Sequence, residues 1–469
     1  MIDNIKLANY KSFFADQVKE AIDEQQKINR SQMRNLFKTG ELSLAYVDSI
    51  QHETGMIILK CPRRMAPRLK VLKGVCIIKK GAKQALGEHV TEWICRWDEF
   101  VDNKDFHSSG SDMTPMYYVH TGDSNYDYVA CSGFSFKLYD ILSKALVDGK
   151  SLSLIVHNPF PPVEYFRNLA SYMDAFSSND ELNLEPTIDY EEWTPEELAF
   201  DEQKPTGISD TIIDTLANEH CCIVQGPPGT GKSYTIASVI SSYLDAGKTV
   251  CVTTMANKGL IELIKQKPLQ KYVKEGRVSK TNLSIDERKQ VSGVKAASAD
   301  LQVPGGEMLC ATNYQLSSVF SEKKMTLYGL PQYDLVVIEE ASQAFLTAIV
   351  AFKQLGIDCL IVGDPMQLPP IVKLNNPQYN SWNVATQVEG LKSMVLGTSI
   401  KSYRIVTTFR LTSRSASLTK CFYGNRFVSV KQDYLDFTKA NSVLFPQDGG
   451  VLYHCTLDVR NGVYSDKAD

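Results

Sequence analysis

The chain has 469 residues, 43% hydrophobic and 22% charged, with a net charge of −4. That length holds roughly two to four domains, and the composition excludes disordered, collagen-like and disulfide-scaffold classes. Its eleven cysteines are scattered without a Cys-x-x-Cys, and the adjacent Cys221 and Cys222 fall in a predicted strand whose neighbouring side chains point to opposite faces. Reduced, buried thiols follow, with no disulfide frame and no zinc site. No apolar run reaches membrane-spanning length, and the N-terminal Met1-Ile-Asp-Asn-Ile-Lys6 lacks a signal-peptide core. The expectation is a cytoplasmic protein, neither exported nor embedded in a membrane.

Residues 5 to about 36 are polar and charged, with few strand formers, and predict one or two exposed helices. From Leu42 the texture becomes short β-like runs: Leu42–Ile50, Met56–Leu59, Val71–Lys79, Trp93–Trp97, Tyr117–His120 and Leu152–Val156. Glycines and prolines punctuate them, as in a small barrel or sandwich. Between Lys60 and Lys83 there are nine basic residues and no acidic one, Arg63, Arg64 and Arg68 among them. Such a stripe is the footprint of phosphate-backbone contact, or else a strand edge guarded by lysines. A helix over Val163–Phe176 follows, then an acidic stretch, Ser177–Lys204, which reads as a linker.

From Ile208 strands and helices alternate. Cys221–Gln225, Thr249–Thr254, Met308–Thr312, Asp334–Ile338 and Cys359–Val362 are largely apolar runs, suited to parallel strands covered on both faces. Lys265–Glu307, polar and rich in Lys and Ser, reads as an insertion between two of them. Directly after the first run stands Gly226-Pro227-Pro228-Gly229-Thr230-Gly231-Lys232-Ser233. The next segment carries Ile236, Val239, Ile240, Tyr243 and Leu244 at helical spacing. A glycine-rich turn between a buried strand and a helix points its N–H groups at phosphate oxygens and adds the helix's positive end. Lys232 would reach the β- and γ-phosphates of a nucleoside triphosphate, and the Ser233 hydroxyl would hold Mg²⁺.

The run Asp334–Ile338 ends in Glu339 and Glu340, followed by Ala-Ser-Gln343. A carboxylate there would hold Mg²⁺, and the next would deprotonate an attacking water; these roles go to Glu339 and Glu340 respectively. Taken alone, the pair reads as well as solvated acids at a helix start. The last of the five runs leads into a third motif, Gly363-Asp364-Pro-Met-Gln367-Leu-Pro-Pro370, where Gln367 would sense the γ-phosphate.

With these motifs in order, residues about 208–430 resemble the first motor domain, and the entry to the second, of superfamily-1 helicases, in the branch that includes the nonsense-mediated-decay RNA helicase. The phosphate loop, Glu339-Glu-Ala-Ser-Gln343 and Gly363–Pro370 carry the resemblance. Thr253-Thr-Met-Ala-Asn257 and Ala311-Thr312 are similar to the family's nucleic-acid contacts, which implies strand-binding roles for Asn257 and Thr312. Thr408-Phe-Arg410 resembles the motif whose arginine reaches the γ-phosphate as a finger, a role it implies for Arg410. Glu339 stands where the family usually has Asp, an oxygen ligand one methylene longer, and the family's last two motifs do not precede Asp469. The resemblance therefore implies the front portion of a longer helicase, and it favours phosphate contact for the basic stripe.

The expected architecture is α/β: a RecA-like P-loop parallel sheet with helices on both faces, preceded by a β-rich, barrel-like domain with helical segments. Its predicted parts are an accessory domain over 1–176, an acidic linker over 177–205, a first motor domain over 206–398 and an incomplete second over 399–469. ATP and Mg²⁺ are the expected cofactors and single-stranded nucleic acid the partner, in an ATP-dependent helicase or translocase. A second reading stays open, a nucleotide-gated binding or regulatory subunit with little unwinding activity.

Overall fold

The computed structural model describes residues 4–32, 34–36, 43–51, 56–62, 75–78, 117–119, 125–131, 153–156, 163–177, 180–184, 194–283, 285–298, 300–321, 329–372 and 382–431. The chain divides into two compact units, Met1–Val406 and Thr407–Asp469.

In the first unit, β1 (Ser43–Gln51), β2 (Met56–Pro62), β3 (Val75–Ile78), β4 (Tyr117–Val119), β5 (Tyr126–Cys131) and β6 (Ser153–Val156) form one sheet in the order β3-β6-β1-β2-β5-β4. Every neighbouring pair is antiparallel. Sequence reading anticipated all but β5, whose Tyr-Asp-Tyr start hides the alternation. From the basic stripe, Lys60 is described: its Nζ lies 4.2 Å from the centre of the Tyr126 ring, a cation–π contact. Arg63, Arg64 and Arg68, like the run Trp93–Trp97, lie outside the described residues.

The larger sheet is built from β7 (Glu196–Leu198), β8 (Cys221–Gln225), β9 (Val250–Thr254), β10 (Val278–Lys280), β11 (Lys295–Ala296), β12 (Met308–Thr312), β13 (Tyr333–Ile338), β14 (Gly356–Gly363) and β15 (Lys401–Ile405). Its nine strands run in the order β11-β10-β12-β9-β13-β14-β8-β15-β7, and all its pairings are parallel. The five expected core strands are the five central ones. Side chains of the central strands alternate between two cores. Cys221, Ile223, Cys251, Leu309, Val336, Ile338 and Ile361 enter one; Cys222, Val224, Val252, Cys310, Val337 and Leu360 enter the other. The adjacent cysteines thus part to opposite faces, as period-two geometry requires. The second core is closed by helices Gly207–Glu219, Lys232–Asp245 and Asn257–Ile264.

Three expectations need correction, and that of the polar insertion between two core strands holds and is extended. The N-terminal helix, Asn4–Asn29, is not simply exposed: Leu7, Tyr10, Phe13 and Phe14 bury one face in the first core, beside Phe166 and Phe345. Each such side chain contributes roughly 1.5–3 kcal/mol by leaving water. The acidic stretch is more than a linker, because Leu182 and Leu184 are buried and Glu196–Leu198 pairs with β15 as an edge strand. The polar insertion Lys265–Glu307 adds β10 and β11 to the opposite edge. Finally, Lys401–Ile405 belongs to the larger sheet of the first unit, since it pairs with β8, so the division falls at Val406 and not at 398.

In the second unit β16 (Thr407–Thr412) pairs in parallel with β17 (Val428–Lys431). Arg410 is an exposed residue of β16.

Candidate nucleotide site

The register of the large sheet decides where chemistry can gather. Thr312 pairs with Thr254, Ile338 with Thr253 and Ile361, and Gly363 with Gln225. The C-terminal ends of β12, β9, β13, β14 and β8 therefore form one continuous rim, the edge where open parallel sheets bind ligands. All the central motifs leave the sheet at this rim.

The phosphate loop joins β8 to helix Lys232–Asp245. Gly231 turns the chain into that helix with φ of 80°, left-handed backbone that suits glycine. At Gly226 a Cβ would come within 2.6 Å of Thr230 Oγ1 and 3.0 Å of Lys232 Cγ, so the curl closes on a residue without a side chain. Thr230 Oγ1 donates to the Pro227 carbonyl at 2.9 Å, and Gly226 N–H donates to the Gly363 carbonyl at 3.1 Å. The first and third motifs are thus stitched together. Lys232 Nζ bonds the Gly226 carbonyl and, at 3.2 Å, that of Pro227. Pro228 and Gly229 complete the turn.

Across the rim, Ser233 Oγ donates to Glu339 Oε1 at 3.0 Å. The other carboxylate oxygen, Glu339 Oε2, is buried without a hydrogen-bond partner. Burial pushes the Glu339 carboxyl up to about 7; the Ser233 hydrogen bond opposes this, the Glu340 charge adds to it and Lys232 opposes it. A hydroxyl beside a buried carboxylate with one orphaned oxygen is a donor set that suits a hard divalent cation, so Ser233 and Glu339 fit Mg²⁺. Glu340 follows in a left-handed turn with φ of 52°, half-buried, its carbonyl accepting from Gln343 N–H at 2.9 Å. A non-glycine residue held there is strained, a state that clusters at functional sites.

The raised Glu339 carboxyl has a stability consequence. The folded chain holds this proton more tightly than the unfolded one, so the associated stability is complete below the ordinary carboxylate range. It is lost as pH rises through about 7. Glu339→Gln should remove that loss. Without divalent cation, the variant is expected to melt above the parent at pH 8 and to match it near pH 4, the gap being at most about 3 kcal/mol. Thermal melts of the two proteins across pH check this; an unchanging gap would mean that Glu339 does not titrate as placed.

The remaining sequence candidates sit as follows. Gln367 is half-buried in the turn after β14, its N–H on the Asp364 carbonyl at 2.9 Å. Asn257, exposed, opens helix Asn257–Ile264 just beyond β9. Thr312 is buried, and its hydroxyl caps helix Asn313–Leu316 by accepting from Gln315 N–H at 3.4 Å. Thr253 links Glu339 and Asn313 across the rim. Its carbonyl accepts from Glu339 N–H at 2.9 Å, and its hydroxyl donates to Asn313 Oδ1 at 2.8 Å. Arg410 belongs to the second unit. Sequence reasoning missed Lys280, which is wholly buried and bonded to Asn257; no local pattern marks it.

Residues 209–373 match the AAA domain family. That match spans the phosphate loop, the acidic pair and the third motif, and it gives this part of the chain the sequence character of an AAA-type P-loop domain. Among curated proteins, this chain is 29% identical over 245 residues to the DNA replication ATP-dependent helicase/nuclease dna2 of Schizosaccharomyces pombe, covering 48% of this chain and 16% of that protein. The Saccharomyces cerevisiae helicase/nuclease DNA2 is 26% identical over 207 residues, covering 41% and 12%. The chain therefore matches less than a fifth of either relative's length. A solved structure of the PRRSV helicase overlaps 47% of this chain and 38% of its own at 11% identity and a TM-score of 0.28. The RecA-like assignment of the ATPase domain rests on its own strand pairing. Among the described residues, no helix is long and apolar enough to cross a membrane.

Proposed function

We propose that this chain is the ATP-hydrolysing motor of a helicase or translocase, which couples nucleotide turnover to movement on single-stranded nucleic acid. The observation that carries the reading is the shared rim: phosphate loop, acidic pair and strand-contact motifs all leave one parallel sheet at one edge. The loop Gly226–Ser233 would cradle the phosphates, with Lys232 drawn from its own loop carbonyls to the β- and γ-phosphates. Ser233 and Glu339 would hold Mg²⁺, which neutralises phosphate charge. Glu340 would take the proton of the attacking water, and Gln367 would respond to the γ-phosphate. Arg410 would act as the arginine finger that its motif implies. Asn257 and Thr312 would mark the path of the strand. Cys61, Cys221, Cys222, Cys251, Cys310 and Cys359 are free and buried, which suits a reducing compartment and hence the cytoplasm. The finer placement, in the branch with the nonsense-mediated-decay RNA helicase, rests on motif wording; the curated relatives are named for DNA replication.

The strand partner is tested through salt. A labelled single strand should bind with log affinity falling linearly against log salt. Neutralising Arg63, Arg64 and Arg68 together should weaken binding evenly across sequences and flatten that slope by about 0.7 for each phosphate left without its cation. An unchanged slope returns the stripe to a guarded surface, and no binding by the parent chain overturns the motor reading.

A further inference from the structure

Lys280 stands in β10, a strand of the polar insertion, and its side chain is entirely buried. Burying an ammonium is costly unless every hydrogen finds an acceptor. Lys280 Nζ meets three: Asn257 Oδ1 at 2.7 Å, the Thr281 carbonyl at 3.1 Å and Glu287 Oε1 at 3.3 Å. A lysine ammonium has three hydrogens and no lone pair, so only the carbonyl oxygen of the Asn257 amide can face it. The orientation of that amide is therefore dictated by chemistry. Its oxygen is turned inward, and its NH₂ is left on the exposed side of the residue, at the rim beyond β9. An NH₂ group held outward donates hydrogen bonds and cannot accept them, which matches a phosphodiester oxygen.

We infer that Lys280 is a positioning residue for strand binding: from the insertion, it locks the Asn257 amide with its NH₂ outward to donate to a backbone phosphate. The inference rests on the reading of the rim as a strand-binding surface and deepens it. It assigns the insertion a function: β10 brings Lys280 behind Asn257, and Glu287 on the following helix, Ile285–Gln290, balances its charge.

Asn257→Asp tests this sharply. A carboxylate keeps the bond to Lys280 and strengthens it, so the variant should melt at or above the parent temperature. The same change removes the outward donors and sets a negative oxygen towards the phosphate. Anisotropy titrations of the full chain with fluorescein-labelled twenty-nucleotide oligo-dT, and in parallel oligo-U, should show affinity reduced about tenfold or more. An affinity within about twofold of the parent, in a protein that melts as expected, overturns the inference while leaving the motor reading in place. Failure of the parent itself to bind either strand removes both. A cycle provides the second check. Lys280→Met with Glu287→Gln, which leaves no orphan charge, and Asn257→Ala should each weaken binding. Combined, they should bind no more weakly than Asn257→Ala alone, because Lys280 acts through Asn257. Multiplying effects would show a merely structural lysine and overturn the assignment.

Discussion

Lys232→Ala should reduce ATP hydrolysis on the order of a thousandfold, the scale of losing a charge-stabilising donor, and should weaken ATP binding as well. Lys232 is the first residue of its helix, and its Nζ holds the loop's own Gly226 and Pro227 carbonyls. Alanine is a strong helix former, so the helix should persist, and Thr230 still closes the turn through the Pro227 carbonyl. What disappears is the cation that the proposed function assigns to the β- and γ-phosphates, where charge moves during phosphoryl transfer. Phosphate release measured beside a melting curve separates a chemical defect from a folding defect. Turnover near the parent rate in a folded variant would place the triphosphate elsewhere.

Glu340→Gln should bind ATP as the parent does and hydrolyse it about a hundredfold or more slowly, the scale of a missing general base. The two glutamates have different surroundings, and the roles follow from that. Glu339 is buried, bonded to Ser233 and raised by burial, as suits a carboxylate awaiting a cation. Glu340 is half-buried beyond the strand end, in a left-handed turn that takes the chain off the line of β13. Glutamine keeps the size and backbone preference of the residue and removes the proton acceptor. Parent-like turnover would move the base to another residue. Reduced ATP binding would give Glu340 a part in holding the nucleotide instead.

Much of the large sheet and of the candidate site was legible because their signals are local. The central strands are apolar runs covered on both faces, and the phosphate loop, acidic pair and third motif follow them directly. The parts that escaped are set by partners distant in sequence. Glu196–Leu198 and Lys401–Ile405 are partly polar because they lie at or next to a sheet edge, and polarity disguised them as linker and next domain. In the N-terminal helix, Lys6, Lys11 and Asp16 dominated the composition while Leu7, Tyr10, Phe13 and Phe14 carried the buried face. At the site, the bond between Ser233 and Glu339 spans 106 residues, yet the motifs implied it. Lys280 had no such help: a buried lysine is recognisable only once Asn257, Glu287 and the Thr281 carbonyl surround it.

In the proposed function one rim serves nucleotide and strand together, joined at Thr253 between Glu339 N–H and Asn313. The direct measurement is the affinity of the chain for a labelled single strand, with Mg²⁺ throughout, in the presence of ADP and then of a non-hydrolysable ATP analogue. Coupling between linked sites is typically worth about 1–3 kcal/mol, so the two affinities should differ at least about fivefold, and Lys232→Ala should abolish the difference. Equal affinities in both nucleotide states, with both nucleotides bound, would contradict the account.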